Sequence, residues 1–241
     1  LTVTSPPYDN LRDYNGYEFD FESIAKELYR VTKHGGVVDW VVGDATVNGS
    51  ETGTSFKQAL YFKEIGFNLH DTMIWTKPTF SAVGALQTRY APIFQYMFIL
   101  TKGRIKTFNP IKDRKNIHYG EKRNNPSIRD KNGEIKYNKS HIYKKYGQRF
   151  NVWKMKTEDK SKHPAPYPEK LANDHIISWS NPNDLVYDCF TGSGTTAKMC
   201  LRNDRNFIGS ELSSEYCDIA NKRIEETKKI IALEKTQMKL F

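Results

Sequence analysis

The apolar positions of residues 1–102 switch between two periods. Leu1-Thr2-Val3-Thr4 reads as the end of a β-strand that runs into a Pro-Pro turn. A helical pattern over 21–32 follows and is stopped by Gly35-Gly36. Val37-Val38-Asp39-Trp40-Val41-Val42 has the near-continuous apolar character of a strand covered on both faces of a parallel sheet. A helix over 55–65 and strands over 69–75 and 93–100 complete this half, with a loop containing Pro, Gly and Ser at 77–90. After residue 163 the same grammar resumes: a helix over 168–179, a strand over 185–190, a glycine-rich turn, a helix over 195–202, a strand over 207–211 and a long terminal helix. Strands alternating with helices predict an open α/β sheet.

Residues 103–162 interrupt this pattern with single isoleucines set among Lys, Arg, Asn and turn pairs such as Asn132-Gly133. Charge makes the interruption informative. The chain carries a net +9, which points only to a polyanionic partner. This segment holds 18 Lys+Arg against 6 Asp+Glu, a net of +12, so the other 181 residues carry −3. Seven aromatics (Phe108, Tyr119, Tyr137, Tyr143, Tyr146, Phe150 and Trp153) are interleaved with the cations. That combination favours a nucleic-acid-contacting module over a solvated basic loop. Three parts result: 1–102, a basic insert 103–162, and 163–241.

Composition removes other classes. With 38% hydrophobic residues the chain can build a core, and no window approaches eighteen uninterrupted apolar residues, so a membrane span is not expected. Cys189, Cys200 and Cys217 have no CxxC spacing, which argues against a disulfide framework or a metal site and fits a reducing cytoplasm. The chain opens without Met inside a strand and without a signal peptide, which predicts that N-terminal residues are missing from it.

Asp188-Cys189-Phe190-Thr191-Gly192-Ser193-Gly194-Thr195-Thr196-Ala197 lies between a strand and a helix and fits G-x-G-x-x-A. Glycines there let backbone approach a ligand, and the helix N-terminus offers N–H groups to an anion. Seventeen residues past Gly194, Glu211 stands where a carboxylate can accept both hydroxyls of a ribose. A P-loop is excluded, because Thr195 follows the last glycine where Lys would be needed. A dinucleotide and S-adenosylmethionine both remain.

Ser5-Pro6-Pro7-Tyr8 ends the first strand. Two prolines fix φ, remove two N–H donors and leave carbonyls free to accept, while Ser5 adds a hydroxyl and Tyr8 an aromatic face. Such a site suits a planar base with an exocyclic amino group, which donates to Ser5 and a proline carbonyl while its ring stacks on Tyr8.

Together these residues resemble the DNA amino-methyltransferases that act on N4 of cytosine or N6 of adenine. Ser5 to Tyr8 match the family's [S/N/D]-P-P-[Y/F] motif, Asp188 to Thr196 its D-x-F-x-G-S-G-T-T motif, and His163-Pro164-Ala165-Pro166-Tyr167-Pro168-Glu169-Lys170-Leu171 its H-P-A-x-[F/Y]-P-x-K-L signature. Catalytic motif first and cofactor motif last is the order of the permuted β group. The resemblance implies a Rossmann-like methyltransferase sheet, with 103–162 as target-recognition region. It implies S-adenosylmethionine held by Asp188, Phe190, Gly192, Ser193, Gly194, Thr195, Glu211 and His163, and a flipped base held by Ser5, Pro6, Pro7 and Tyr8. Double-stranded DNA is the implied partner, N4-cytosine is favoured over N6-adenine, and a restriction endonuclease and a homodimer are further partners known in the group. Cys189 departs from the proline common at its position. The acidic residue that members place near the cofactor's adenine lies upstream of the Pro-Pro motif, and Gly43-Asp44 matches it only superficially, following a different strand. Two readings from other classes fit parts of the pattern. A nicotinamide oxidoreductase needs only the glycine turn and Glu211, and a non-catalytic nucleic-acid-binding protein needs only the basic segment on this fold.

Overall fold

In the computed structural model of the 241-residue chain, residues 1–8, 19–79, 88–123, 127–137, 139–156 and 168–238 are described. They divide into two compact units, Leu1–Asn109 with Asn151–Phe241, and Pro110–Phe150.

The larger unit is organised by seven strands: β1 (Thr2–Thr4), β2 (Val37–Val42), β3 (Asn68–Thr76), β4 (Phe94–Thr101), β5 (Val152–Lys154), β6 (Leu185–Asp188) and β7 (Asn206–Gly209). They form one sheet in the order β5-β3-β4-β2-β1-β6-β7. Neighbours pair in parallel except at β4, which runs antiparallel to both β2 and β3. The helices are α1 (Phe21–Val31), α2 (Thr54–Glu64), α3 (Glu169–Trp179), α4 (Thr195–Arg202) and α5 (Ser214–Met238). Asp20 caps α1 by accepting the Ser23 N–H at 3.1 Å. Ala25 and Leu28 of α1 and Phe62 of α2 pack with Trp40 and Leu100 on one sheet face, and Ile176 of α3 and Met199 of α4 pack with Val3 and Val186 on the other. Both faces of β2 are therefore covered, as its continuous apolar run requires.

The basic segment divides differently from the expected 103–162. Val152–Lys154 joins the main sheet beside β3, with Trp153 only 5% exposed and its ring 4.5 Å from that of His175. Phe108 stacks on Trp179 at 5.0 Å. Three residues are too few to display a strand period, so only the open edge of β3 reveals their role. The separate unit is Pro110–Phe150, which holds 12 Lys+Arg against 4 Asp+Glu. It is a nested antiparallel ribbon, pairing Arg114–Lys115 with Tyr146–Gly147, Lys122–Arg123 with His141–Ile142, and Ser127–Arg129 with Ile135–Tyr137. Asp130 closes the last hairpin by accepting the N–H groups of Asn132 and Glu134 at 2.9 and 3.1 Å.

Under α3 lies a buried polar group that the apolar run of β2 conceals. Asp39 is fully buried, and among the described residues neither carboxyl oxygen has a hydrogen-bond partner. His175 Nδ1 is 3.4 Å from Asp39 Oδ2, but it accepts the Trp179 Nε1–H at 3.1 Å and so is not the donor Asp39 would need. Burial holds the Asp39 carboxyl well above the ordinary carboxylate range. A raised folded-state pKa gives stability that is full below the unfolded value and is lost as pH rises through the folded one. Asp39→Asn, which cannot ionise, is expected to match the native protein's urea midpoint near about pH 4 and to exceed it increasingly toward about pH 8. Parallel midpoints across that range would mean that Asp39 is stabilised as an anion.

Candidate active site

β1 and β6 are adjacent and parallel, yet the chain leaves them in opposite directions, toward β2 by way of α1 and toward β7 by way of α4. Such a reversal opens a crevice at the carboxyl ends of the strands, because the two crossovers cover opposite sheet faces. The Pro-Pro turn follows β1 and the glycine turn follows β6, so both predicted motifs emerge at this point.

Asp188 holds the two motifs together. Its side chain is 1% exposed at the end of β6. Oδ1 accepts from Thr4 Oγ1 at 2.7 Å and from the Phe190 N–H at 3.1 Å, and Oδ2 accepts from Thr196 Oγ1 at 2.7 Å. One carboxylate thus ties the residue before the Pro-Pro motif to the glycine turn and to the first turn of α4. The resemblance implied that Asp188 helps to hold the methionine part of a cofactor; in the structure its oxygens accept from two threonine hydroxyls and a backbone N–H. Thr4 and Thr196, neither assigned from sequence, are fully buried partners in that clasp.

The glycine turn bends through Gly192 (φ +50°) and Gly194 (φ +80°), the latter capping α4. A Cβ at Gly194 would stand 3.1 Å from Ala220 Cβ and 3.2 Å from its Cα, so only glycine lets α5 approach the turn this closely. The Gly192 N–H donates to Glu211 Oε2 at 2.8 Å, and the Ser213 N–H donates to Oε1 at 2.9 Å. Glu211 is thereby fixed against the turn, two residues beyond the end of β7. Each of its oxygens keeps further acceptor capacity, as a ribose diol requires. Phe190 packs edge-on against Phe19 at 5.6 Å and Trp40 at 6.1 Å, anchoring the turn to the core. Ser193 and Thr195 are buried and accept from Arg223 of α5, a contact that no spacing in the sequence signalled. His163 lies outside the described residues.

On the other side of the crevice, Ser5 Oγ and Tyr8 Oη are 2.9 Å apart. Tyr8 Oη is also 3.2 Å from Gln95 Oε1 and 3.3 Å from the Val41 carbonyl. Both of these can only accept, so the single Tyr8 proton is shared between them and Ser5 donates to Tyr8. That arrangement leaves the Ser5 lone pairs to receive an N–H from a ligand. Cys189, beside Thr4 at 3.6 Å, supplies no nucleophile, because burial, reinforced by Asp188, pushes its thiol up to about 12. Among the described residues no group of His, Cys, Asp and Glu could hold a metal ion, and no helix is long and apolar enough to cross a membrane.

A mostly parallel sheet with one antiparallel strand thus carries, at one end, a glycine turn with a carboxylate fixed against it and a Pro-Pro turn beside it, the frame of a Rossmann-like fold. The fold is shared with the cytosine-N4-specific PvuII DNA methyltransferase (TM-score 0.66, 19% identity, 95% of this chain and 83% of that one). M1.HpyAVI, solved as its SAM complex, is similar as well (TM-score 0.63, 24% identity, 92% and 87%). Among curated proteins, the orphan methyltransferase M.BamHII of Bacillus amyloliquefaciens is 57% identical over 93% of this chain and 88% of its own length. The type II methyltransferase M.SmaI of Serratia marcescens is 26% identical over 92% and 82%. The N6/N4 family model described as DNA methylase matches residues 1–222. The chain belongs to this family of DNA methylases.

Removing the clasp has a defined cost. Asp188→Ala strands two buried hydroxyls and a part-buried N–H and is expected to lower the unfolding free energy by about 3 kcal/mol in urea denaturation, while a loss below about 1 kcal/mol would mean that they find other acceptors. Cys189→Ala is expected to keep methyl transfer to DNA within about threefold of the native rate, since a protonated thiol contributes no covalent step.

Proposed function

We propose that this protein transfers the methyl group of S-adenosylmethionine to the exocyclic amino nitrogen of a base flipped out of duplex DNA, N4 of cytosine being the favoured target. The Thr4–Asp188–Thr196 clasp carries the reading, because it fixes an amine-accepting site and a nucleoside-accepting site side by side at one end of the sheet. Residues present fit the cofactor: Glu211 for the ribose hydroxyls, and the glycine turn with the N–H groups of the first turn of α4 for the carboxylate of the methionine part. When bound, S-adenosylmethionine supplies an electrophilic methyl on a sulfonium.

The chain's own contribution is positioning and charge stabilisation. Ser5 Oγ and a carbonyl of the Pro-Pro turn accept the two amine N–H groups, which turns the nitrogen lone pair out of the base plane and toward the cofactor side. Tyr8, held by Gln95 and Val41, offers the ring face on which the base stacks. As the nitrogen becomes positive, the same acceptors strengthen their hold on its protons. Cytosine-N4 is preferred because serine precedes the prolines and because PvuII methyltransferase, which has the same fold, is cytosine-N4-specific.

The Pro110–Phe150 unit is the proposed target-recognition region. Its cations outnumber its carboxylates, and of the four carboxylates Asp113 and Asp130 are paired within the unit with Arg149 and Lys136. Tyr119 and Tyr137 expose 62% and 72% of their surface, which suits stacking or groove contacts. Work on DNA in a reducing cytoplasm accords with the three free cysteines.

Nucleosides from DNA methylated by this protein are expected to contain N4-methylcytosine by mass spectrometry; N6-methyladenine instead would reassign the base, and neither would overturn the activity. Ser5→Ala is expected to lower kcat by about 100-fold or more, the scale of losing an oriented acceptor at developing charge, and Tyr8→Ala, which removes the stacking face and the hydroxyl that orients Ser5, by a similar factor. DNA affinity is expected to fall steeply with salt, log K declining by roughly one unit per phosphate contact for each tenfold rise in salt. A salt-independent constant would contradict the role given to the basic unit.

A further inference from the structure

We propose that Arg223 of α5 is a positioning residue for the cofactor, a brace that sets the shape of the glycine turn and is itself held by Glu169. This rests on the reading of that turn as the S-adenosylmethionine site. Arg223 Nη1 donates toward the Ser193 carbonyl at 3.2 Å, Ser193 Oγ at 3.2 Å and Thr195 Oγ1 at 3.1 Å, while Nη2 donates to Glu169 Oε1 at 2.6 Å. The planar guanidinium thus spans from the turn to the start of α3, which a lysine point charge cannot reproduce. One turn earlier on α5, Ala220 makes the close approach to Gly194, and one turn later the buried Thr227 hydroxyl donates to the Arg223 carbonyl at 2.7 Å. This face of α5 therefore shapes the turn at several points.

The turn needs such support. Gly192 and Gly194 lie in left-handed conformations that glycine adopts at no steric cost but does not favour over others, so the local chain has little reason to hold one shape. A donor fork on Ser193 and Thr195 selects that shape before ligand arrives and lowers the ordering cost of binding. Glu169 keeps the fork aimed. Burial acts to raise its carboxyl, but hydrogen bonds from Lys198 and Arg223 outweigh it and hold the carboxyl below the usual range, so it is an anion at neutral pH. Glu169 directly follows Pro168 in the His163 to Leu171 signature, so the end of that segment anchors the arginine that shapes the cofactor turn.

Calorimetric titration of S-adenosylmethionine into the full chain without DNA tests the brace. Arg223→Met is expected to weaken binding about tenfold, the scale of losing charge-assisted hydrogen bonds, and Arg223→Lys by about threefold. Lys198→Met removes a partner of Glu169 without touching the turn and is expected to bind within about twofold of the native protein. In steady state the Arg223 variants should raise KM for S-adenosylmethionine while kcat at saturation stays within about threefold. Amide exchange at 193–196 should accelerate in them and not in Lys198→Met. Should Arg223→Met fail to fold, Arg223→Lys carries the same comparison. Native affinity in the Arg223 variants, or an equal loss in Lys198→Met, overturns the brace. Glu211→Ala separates the two levels: if it weakens binding while the Arg223 variants do not, the brace alone fails, and if it too binds normally, the turn is not the cofactor site and both readings fall.

Discussion

A single buried carboxylate organises this molecule. Asp188 sits at the end of a central strand, and its oxygens receive two threonine hydroxyls and one backbone N–H drawn from β1, the glycine turn and α4. A carboxylate out of contact with water is tolerable only when its lone pairs are met, and the two hydroxyls it gathers are likewise buried and would be costly to strand. Mutual need fixes the relative position of two loops that are more than 180 residues apart in the chain. Everything proposed for methyl transfer depends on that separation being constant, because a direct displacement tolerates little error in the approach of nitrogen to methyl.

The same logic explains why the order of motifs along the chain matters so little to the site. β1 comes first in sequence yet lies in the middle of the sheet between β2 and β6, so the Pro-Pro turn and the glycine turn are neighbours despite opening and nearly closing the chain. Parallel pairing places both turns at the same edge of the sheet, and the reversal of crossover direction between β1 and β6 leaves the gap into which they open. Antiparallel β4 contributes from beside β2, where Gln95 reaches the hydroxyl of Tyr8. The target base would then meet a ring whose orientation is set by three separate segments.

Charge is unevenly distributed between the two units. The cations concentrate in the small ribbon of Pro110–Phe150, while the sheet that carries the two turns is close to neutral. In that unit buried Asp188 is tied to its threonines and buried Asp174 to Lys170, and the half-buried Glu169 is tied to Arg223 and Lys198. Asp39 is the exception, a buried acid whose environment disfavours its ionised form. In the proposed reaction Ser5 and the Pro-Pro carbonyls accept from an amine that is neutral before transfer, so that reading asks for no charged group on this side of the crevice.

The sequence by itself determined the alternation of strands and helices, the two motifs with Glu211 at its spacing, and the concentration of positive charge in the middle of the chain. These are local properties: apolar period, glycine and proline placement, and residue type at short spacing. Tertiary structure decided the rest. Val152–Lys154 became a strand because β3 offered an edge, Asp188 became a clasp because Thr4 and Thr196 converge on it, and Arg223 reached the glycine turn because Gly194 lets α5 come close. The antiparallel sense of β4 likewise left no mark on its own residues. Each of these depends on which distant groups share a neighbourhood, and a hydrogen bond or strand pairing across 30 to more than 180 residues leaves no periodic trace in a single sequence.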